Sequence, residues 1–252
     1  MQSIDRSMKV IQLFMEKGTN QFFSISELAK ECELPVSSMH RLLQAMIKHR
    51  MIQQDTDRKL YGLGSIWLEY GLKAYDTMDY ISMIRPELES LMKAVEASVY
   101  LNKPVGNESI ITERIDCIHQ TIRVHDQLGL RSPLYKGAAN LVILAYMSPL
   151  QSEKVLDSEL INEDKTKIIN GLEKIRRKGY EVTDEQTSGI TTVAAPILNR
   201  FKEVEGSISI RVVSFHLDEE KLDHIIKNVL QTARVISGKM GYPNGHDRNF
   251  VF

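Results

Sequence analysis

The sequence predicts an α+β chain in two unequal parts joined by a helix, and three observations lead there. Residues 1–63 show helical periodicity three times and then a short hairpin. Residues 64–81 keep helical spacing with no Pro/Ser/Gly-rich tract, so the link is a stiff helix rather than a flexible coil. Residues 82–252 alternate helical and extended stretches, the mark of a mixed α/β domain with a largely antiparallel sheet. With 252 residues, 42% of them hydrophobic and 26% charged, the chain suits an ordinary soluble protein with a real core.

The first helix is SIDRSMKVIQLFMEKG, where Met8, Ile11, Phe14 and Met15 fall at helical spacing and Gly18 suits the stop. In FFSISELAKEC, Ser24 and Glu27 stand three apart before an apolar run, a capping-box pattern, and Leu28 faces a core. ECELP breaks that helix, and Pro35 suits the first position of the next one, which runs to about Arg50. MIQQDTDRKLYGLG is a hairpin with Asp55-Thr56-Asp57 in its turn. Gly64 to about Met78 is the linking helix, carrying Ile66, Trp67, Tyr70 and Leu72.

The larger part begins near Ser82. A helix is expected over Arg85 to Ala97, then strands over Ser98 to Lys103 and Glu108 to Cys117 around Gly106-Asn107, with a third extended piece near Arg123. A helix follows at Gly137 to Met147, and two more helical stretches reach Lys178. Strands return at Gly189 to Leu198 and Ser207 to Val213, and Asp218 to Met240 closes the domain as a helix before the tail GYPNGHDRNFVF, which is expected to fray.

Several classes are excluded by composition. The most apolar run, Gly137 to Met147, is far short of the roughly 20 residues that span a bilayer. No basic-then-apolar leader opens the chain. Cys32 and Cys117 stand alone, without zinc spacing, so a reducing cytoplasmic setting is expected and no metal or cofactor is called for. The histidines are scattered and no Gly-x-Ser-x-Gly or phosphate-binding glycine loop occurs, which argues against an enzyme. The net charge of −1 divides into +2 over residues 1–75 and −3 beyond, an asymmetry that permits a nucleic-acid partner without demanding one.

The helix from Pro35 to Arg50 carries the strongest functional signal. Val36, Met39, Leu42, Leu43, Met46 and Ile47 take one side; Ser37, Arg41, Gln44 and Lys48 take the other, with Ser38 and His40 flanking near its start. An amphipathic helix with a solvated face accounts for this pattern if the helix is taken alone. The preceding helix, the short break and the following hairpin change the weighting, because together they form a winged helix-turn-helix. In that setting Ser37, Ser38, His40, Arg41, Gln44 and Lys48 meet double-stranded DNA, and Arg58 and Lys59, just past the hairpin turn, meet its backbone.

SIDRSMKVIQLF, ISELAKECELPVSSMHRLLQAM and the hairpin ending in KLYGLG resemble the DNA-binding half of the IclR family of bacterial transcriptional regulators. LRSPLYKGAANLVILAYMS and IRRKGYEVTDEQTSGITTVAAPI resemble the two marker stretches of that family's effector-binding domain. The resemblance spans most of the chain. It implies a GAF-like C-terminal domain that binds a small effector and oligomerises. Four departures stand out: Glu33 and Asp57 replace glycines of the turn and wing, Asn140-Leu141 replaces a Gly-Lys pair, and Thr192 replaces a cysteine.

The strand SISIRVV places Ile208, Ile210 and Val212 on one face and Ser207, Ser209 and Arg211 on the other. The polar face meets either solvent or a cavity. By resemblance it lines the effector cavity, with Ser209 and Arg211 facing Gly137, Ala138, Ala139 and Asn140 at a helix start and Thr183, Ile190 and Thr192 beside them. An arginine buried there is expected to lack a partner and to select an organic or sugar acid, with Asp184 or Glu185 as the alternative counter-ion. The expected protein is a metabolite-modulated transcriptional regulator, a homodimer or dimer of dimers on an inverted-repeat operator. Two other readings stay open: an enzyme with a fused helical dimerisation domain, and a DNA-binding protein whose C-terminal domain only oligomerises.

Overall fold

The computed structural model describes residues 2–16, 22–76, 79–117, 126–159, 162–185 and 189–243. Two compact units are present, residues 1–79 and 80–252. The Gly18 helix stop, the extended piece near Arg123 and the tail from residue 244 lie outside the described residues.

The first unit is built on helices α1 (Gln2–Glu16), α2 (Ile25–Glu31) and α3 (Val36–Lys48) and strands β1 (Phe23–Ser24), β2 (Ile52–Asp55) and β3 (Leu60–Leu63). Its core joins Val10, Ile11 and Phe14 of α1, Leu28 of α2 and Met39, Leu43 and Met46 of α3. Met8 and Met15 share the helical spacing but are 41% and 55% exposed, so Val10 takes the core place the spacing gave to them. The strands form a sheet in the order β1-β3-β2, with Phe23 opposite Tyr61 and Asp55 opposite Leu60.

α2 starts with the reciprocal capping box: the Glu27 amide donates to Ser24 Oγ at 3.3 Å and the Ser24 amide donates to Glu27 Oε2 at 2.7 Å. Its end is a Schellman turn, with Glu33 N–H donating to Lys30 O at 3.1 Å and Leu34 N–H to Ala29 O at 2.9 Å. Glu33 is therefore left-handed, φ 56°. α3 ends the same way: Arg50 N–H donates to Ile47 O and Met51 N–H to Met46 O, both 2.9 Å, with Arg50 at φ 56°. In the wing the left-handed residue is Lys59, φ 55°, rather than Asp57. Asp55 accounts for this, since its Oδ1 accepts the Asp57 and Arg58 amides at 3.0 Å each and shapes the start of the turn.

Pro35 is the N-cap of α3 rather than its first residue, and Val36 is about half exposed rather than part of the buried side. Beyond the wing, Gly64 passes so close to Arg50 that a Cβ would lie 2.0 Å from the Arg50 carbonyl oxygen. Helix α4 (Ile66–Asp76) is tied to this unit through Trp67, whose indole N–H donates to Met51 O at 2.7 Å.

The second unit begins with α5 (Asp79–Val95), six residues earlier than Arg85, with Pro86 inside it. The strands are β4 (Val99–Val105), β5 (Glu108–Ile115), β6 (Arg131–Pro133), β7 (Glu181–Glu185), β8 (Ile190–Leu198) and β9 (Val204–Val213). They form one antiparallel sheet in the order β6-β5-β4-β9-β8-β7. Helix α9 (Glu219–Lys239) packs on β8 and β9 through Ile225, Val229, Ala233 and Ile236, against the face that holds Ile208 and Ile210. Helix α6 (Ala138–Tyr146) also packs on β8 and β9. Helices α7 (Pro149–Glu159) and α8 (Asn162–Lys178) complete its layer, and Leu172 and Ile175 of α8 join Val142, Ile143 and Ala145 of α6 in one core.

Glutamate at φ 56° is strained where glycine is not. Glu33→Gly is expected to raise the stability of the N-terminal unit by about 0.5–1 kcal/mol, the relief of strain less the extra freedom of glycine in the unfolded chain. A urea midpoint that falls instead would show that the glutamate side chain, and not the turn geometry, sets stability there.

Candidate nucleic-acid interface and ligand pocket

On α3 the buried positions Met39, Leu43 and Met46 leave Ser37, Arg41, Gln44 and Lys48 as one exposed row, three or four residues apart. His40 is also exposed, and Ser38 is half-buried. The two helix starts differ in a way that matters for an anion. α2 is capped by its own Ser24 and Glu27. α3 has no side-chain cap and no acidic residue in its first turn, which leaves N–H groups and the positive end of the dipole to an outside acceptor. Lys59 is exposed at the wing turn, and Arg58 is 78% exposed with only a long 3.9 Å contact to Asp55 Oδ2. An ion pair that exposed contributes little and leaves Arg58 able to turn to a phosphate. These eight side chains lie on two neighbouring elements of one compact unit. They present hydroxyl, imidazole and guanidinium groups from the helix and cations from the wing, the chemistry that base edges and phosphates require.

The second site is a cavity of about 280 Å³ between α6 and the sheet. Strand register explains its lining. Thr192 lies opposite Arg211, Ala194 opposite Ser209, Tyr100 opposite Ser209, and Asn102 opposite Ser207; paired residues share a face. Gly137, Ala138, Ala139 and Asn140 of α6 and its N-cap face Thr192, Ser209 and Arg211 across the space. Gly137 stands at φ 83°, which a residue with a side chain disfavours. Thr183 and Ile190 are not among the lining residues. Thr183 instead accepts the Ala138 N–H at 3.1 Å and so caps α6, and Ile190 lies at the strand end opposite Glu185.

Asn140 is 4% exposed and fully engaged. Its Oδ1 accepts from Ser109, and its Nδ2 donates to Ser132 Oγ at 2.8 Å and to Lys136 O at 2.7 Å. It therefore holds β5 and β6 to α6 and offers little to a ligand. Ser209 Oγ donates to Asn102 Oδ1 at 3.3 Å, and Ser207 Oγ donates to Ala139 O at 2.9 Å.

The expected unpaired arginine is corrected by the structure. Arg211 Nη1 is ion-paired with Asp126, and its Nη2 stands 3.7 Å from Glu185 Oε2. Only Nε is buried with no partner among the described residues. Asp184 plays no part: alternation turns it to the other face, where it accepts from Ser214 Oγ at 2.7 Å and Thr191 Oγ1 at 3.3 Å. Asp126, Lys136 and Tyr100 are lining residues that sequence reasoning missed. Burial pushes the Tyr100 hydroxyl above its ordinary range, and the Asp126 backbone beside it pulls it part of the way back. Asp126 sits 85 positions from Arg211 in the chain and belongs to no pattern; only the unanswered arginine of the polar strand face pointed to a missing acid.

Among the described residues no helix is long and apolar enough to cross a membrane. Residues 3–56 match the family described as the IclR helix-turn-helix domain, and residues 72–238 match that described as the bacterial transcriptional regulator IclR C-terminal domain. The chain is 29% identical to the HTH-type transcriptional regulator KipR of Bacillus subtilis over 95% of its own length and 97% of that protein's. It is 25% identical to the regulator KdgR of Escherichia coli, over 98% and 96%. Two solved structures share the fold. An IclR-type transcriptional regulator from Alicyclobacillus acidocaldarius superposes with a TM-score of 0.80 at 21% identity, covering 96% of this chain and 99% of that one. An IclR homologue from Microbacterium hydrocarbonoxydans, complexed with 4-hydroxybenzoate, gives 0.77 at 20% identity, covering 94% and 98%.

Proposed function

The chain belongs to the IclR family of bacterial transcriptional regulators, and on that premise we propose that it is a cytoplasmic repressor, not an enzyme, that binds an inverted-repeat operator and responds to a small organic acid. The observation that carries the DNA-binding assignment is the exposed row Ser37, Arg41, Gln44 and Lys48 on the face of α3 away from Met39, Leu43 and Met46. Arg41 is the best placed of these to bridge guanine acceptors, with Ser37, Ser38 and His40 beside it at the helix start. Arg58 and Lys59 add backbone contacts from the wing, which position the protein without reading sequence.

The effector is assigned to the cavity that holds Thr192, Ser209, Arg211 and residues 137–140. An acid is favoured because Arg211 and Lys136 supply the cations of the lining, and because the M. hydrocarbonoxydans homologue carries 4-hydroxybenzoate. Thr183 serves the site indirectly as the α6 cap, and Ile190 closes the same sheet face at its edge. A homodimer, or a dimer of two dimers, is favoured because one recognition helix gives too little specificity and two read an inverted repeat. Ile4, Met8 and Met15, spaced along one side of α1 and 70%, 41% and 55% exposed, are apolar area suited to a second copy. A C-terminal domain that only oligomerises is the second reading, and ligand-dependent change in operator affinity separates the two.

Fluorescence anisotropy on DNA from the promoter beside the protein's own gene, at fixed salt, tests the interface. Arg41→Ala is expected to weaken specific binding by about 1–3 kcal/mol and to leave the fold intact; unchanged affinity removes Arg41 from the interface. The wing makes a contrasting prediction. Replacing Arg58 or Lys59 with alanine should weaken binding to all sequences alike. It should also lower the slope of log affinity against log salt by about 0.9 for each phosphate left without its cation. A variant with no sequence preference and an unchanged slope would mean that the wing reads bases.

A further inference from the structure

We infer that Asp126 is a built-in competitor for the effector: its carboxylate occupies the Arg211 guanidinium that a ligand acid needs, so effector binding is an exchange of one carboxylate for another. The inference rests on the acid-binding reading of this cavity. Among the described residues Arg211 is the one cation deep in the lining; its side chain is 20% exposed. Two carboxylates already meet it, Asp126 at Nη1 and Glu185 at Nη2. The Asp126 side chain is 18% exposed, as buried as the arginine it pairs with. Lys136, the other cation, is exposed.

Asp126 is held in this place from behind. Arg114 Nη1 donates to the Asp126 carbonyl oxygen at 2.6 Å, while Arg114 Nε pairs with Asp116 at 2.9 Å. The backbone position is thus fixed by a second arginine, and the side chain is left to turn toward or away from Arg211. The residues that follow bond to β5: Gly129 N–H donates to Ile111 O at 2.8 Å, and Ile111 N–H donates to Leu130 O at 3.0 Å.

A third carboxylate cannot join this cluster cheaply. Two carboxylates at one guanidinium already leave a local excess of negative charge, and like charges at close range in a shielded site are repelled strongly. Arg211 Nε is the one buried side-chain donor without a partner among the described residues, but the side-on edge that it shares with Nη2 already faces Glu185 at 3.7 Å, and the end-on edge of Nη1 and Nη2 needs the Nη1 that Asp126 holds. Both a free Nη1 and relief of the repulsion follow if Asp126 swings out. The ligand carboxylate then bonds to adjacent guanidinium nitrogens, and Asp126 is released to water. The number of ion pairs is conserved, so wild-type affinity for simple acids is modest, and ligand binding is reported through the side-chain position of Asp126.

The test uses the full-length protein and calorimetric titration with lactate, gluconate and 4-hydroxybenzoate, each beside its neutral amide. Asp126→Asn keeps the size of the side chain and removes its charge; Asp126→Ser gives a second variant that also opens the space. Thermal melts confirm that each is folded. Both variants are expected to bind at least one acid about tenfold or more tighter than wild type, with no gain for the matching amide. If acids bind wild type and neither variant binds them more tightly, the exchange is overturned and the acid-binding reading stands. If no acid binds wild type or either folded variant, both fall. Equal gains for acid and amide also overturn it, since they report space rather than charge.

Discussion

The position of α3 depends on two residues held in a conformation that L-amino acids avoid. Glu33 and Arg50, at φ 56° each, end α2 and α3 in Schellman turns and so set how the chain enters and leaves α3. Each turn satisfies backbone carbonyls that a helix end would otherwise expose. Without the first, α3 would not cross α2 with Met39, Leu43 and Met46 aimed into the core; without the second, the wing would not run back past Gly64. The polar row of α3 faces outward because the opposite row is committed inward. The strain at two non-glycine residues is of the order of 1–2 kcal/mol each. It is offset by the burial of three large α3 side chains, each contributing about 1.5–3 kcal/mol.

In the C-terminal unit the equivalent constraint is alternation along antiparallel strands. Once Ile208 and Ile210 are committed to one face of β9, Ser207, Ser209 and Arg211 must take the other. Register then carries Tyr100, Asn102 and Thr192 to the same side. α6 covers this polar face through small residues and the hydrogen bonds of Asn140 and Thr183, which leaves a cavity with an arginine in its wall. A buried cation in such a place must be answered. The fold answers it with Asp126 and Glu185.

Much of this was legible in the sequence because it is local. The Ser24/Glu27 capping box, the period of α3, the wing with Asp55 in its turn, and the strand SISIRVV each carry their signal within a few residues. Beside the misplaced faces of Met8, Met15 and Val36, two kinds of misreading stand out. Boundaries moved by one or a few residues, as at Pro35 and at the start of α5, where Pro86 lies inside the helix. Partners distant in the chain were invisible: β1 is two residues long, β6 is three, and both exist because β3 and β5 offer them an edge. Asp126 is the extreme case. Charge balance at Arg211 required an acid, and no periodicity distinguishes Asp126 from Asp184, which alternation sends to the opposite face. The departures from the family pattern divided likewise: Glu33 takes the left-handed place of the glycine it replaces, Asp57 does not, and Asn140 became a bracing residue.

The proposed function requires two copies of α3 to read one operator from opposite sides of a two-fold axis. Hydroxyl-radical footprinting on the DNA beside the protein's own gene tests it most directly. Symmetric reading predicts paired protected patches whose centres lie one helical turn apart or a multiple of it, about 10–10.5 base pairs per turn, placed symmetrically on the two strands. A single protected patch without a symmetry mate, or protection spread evenly along the fragment, would contradict it.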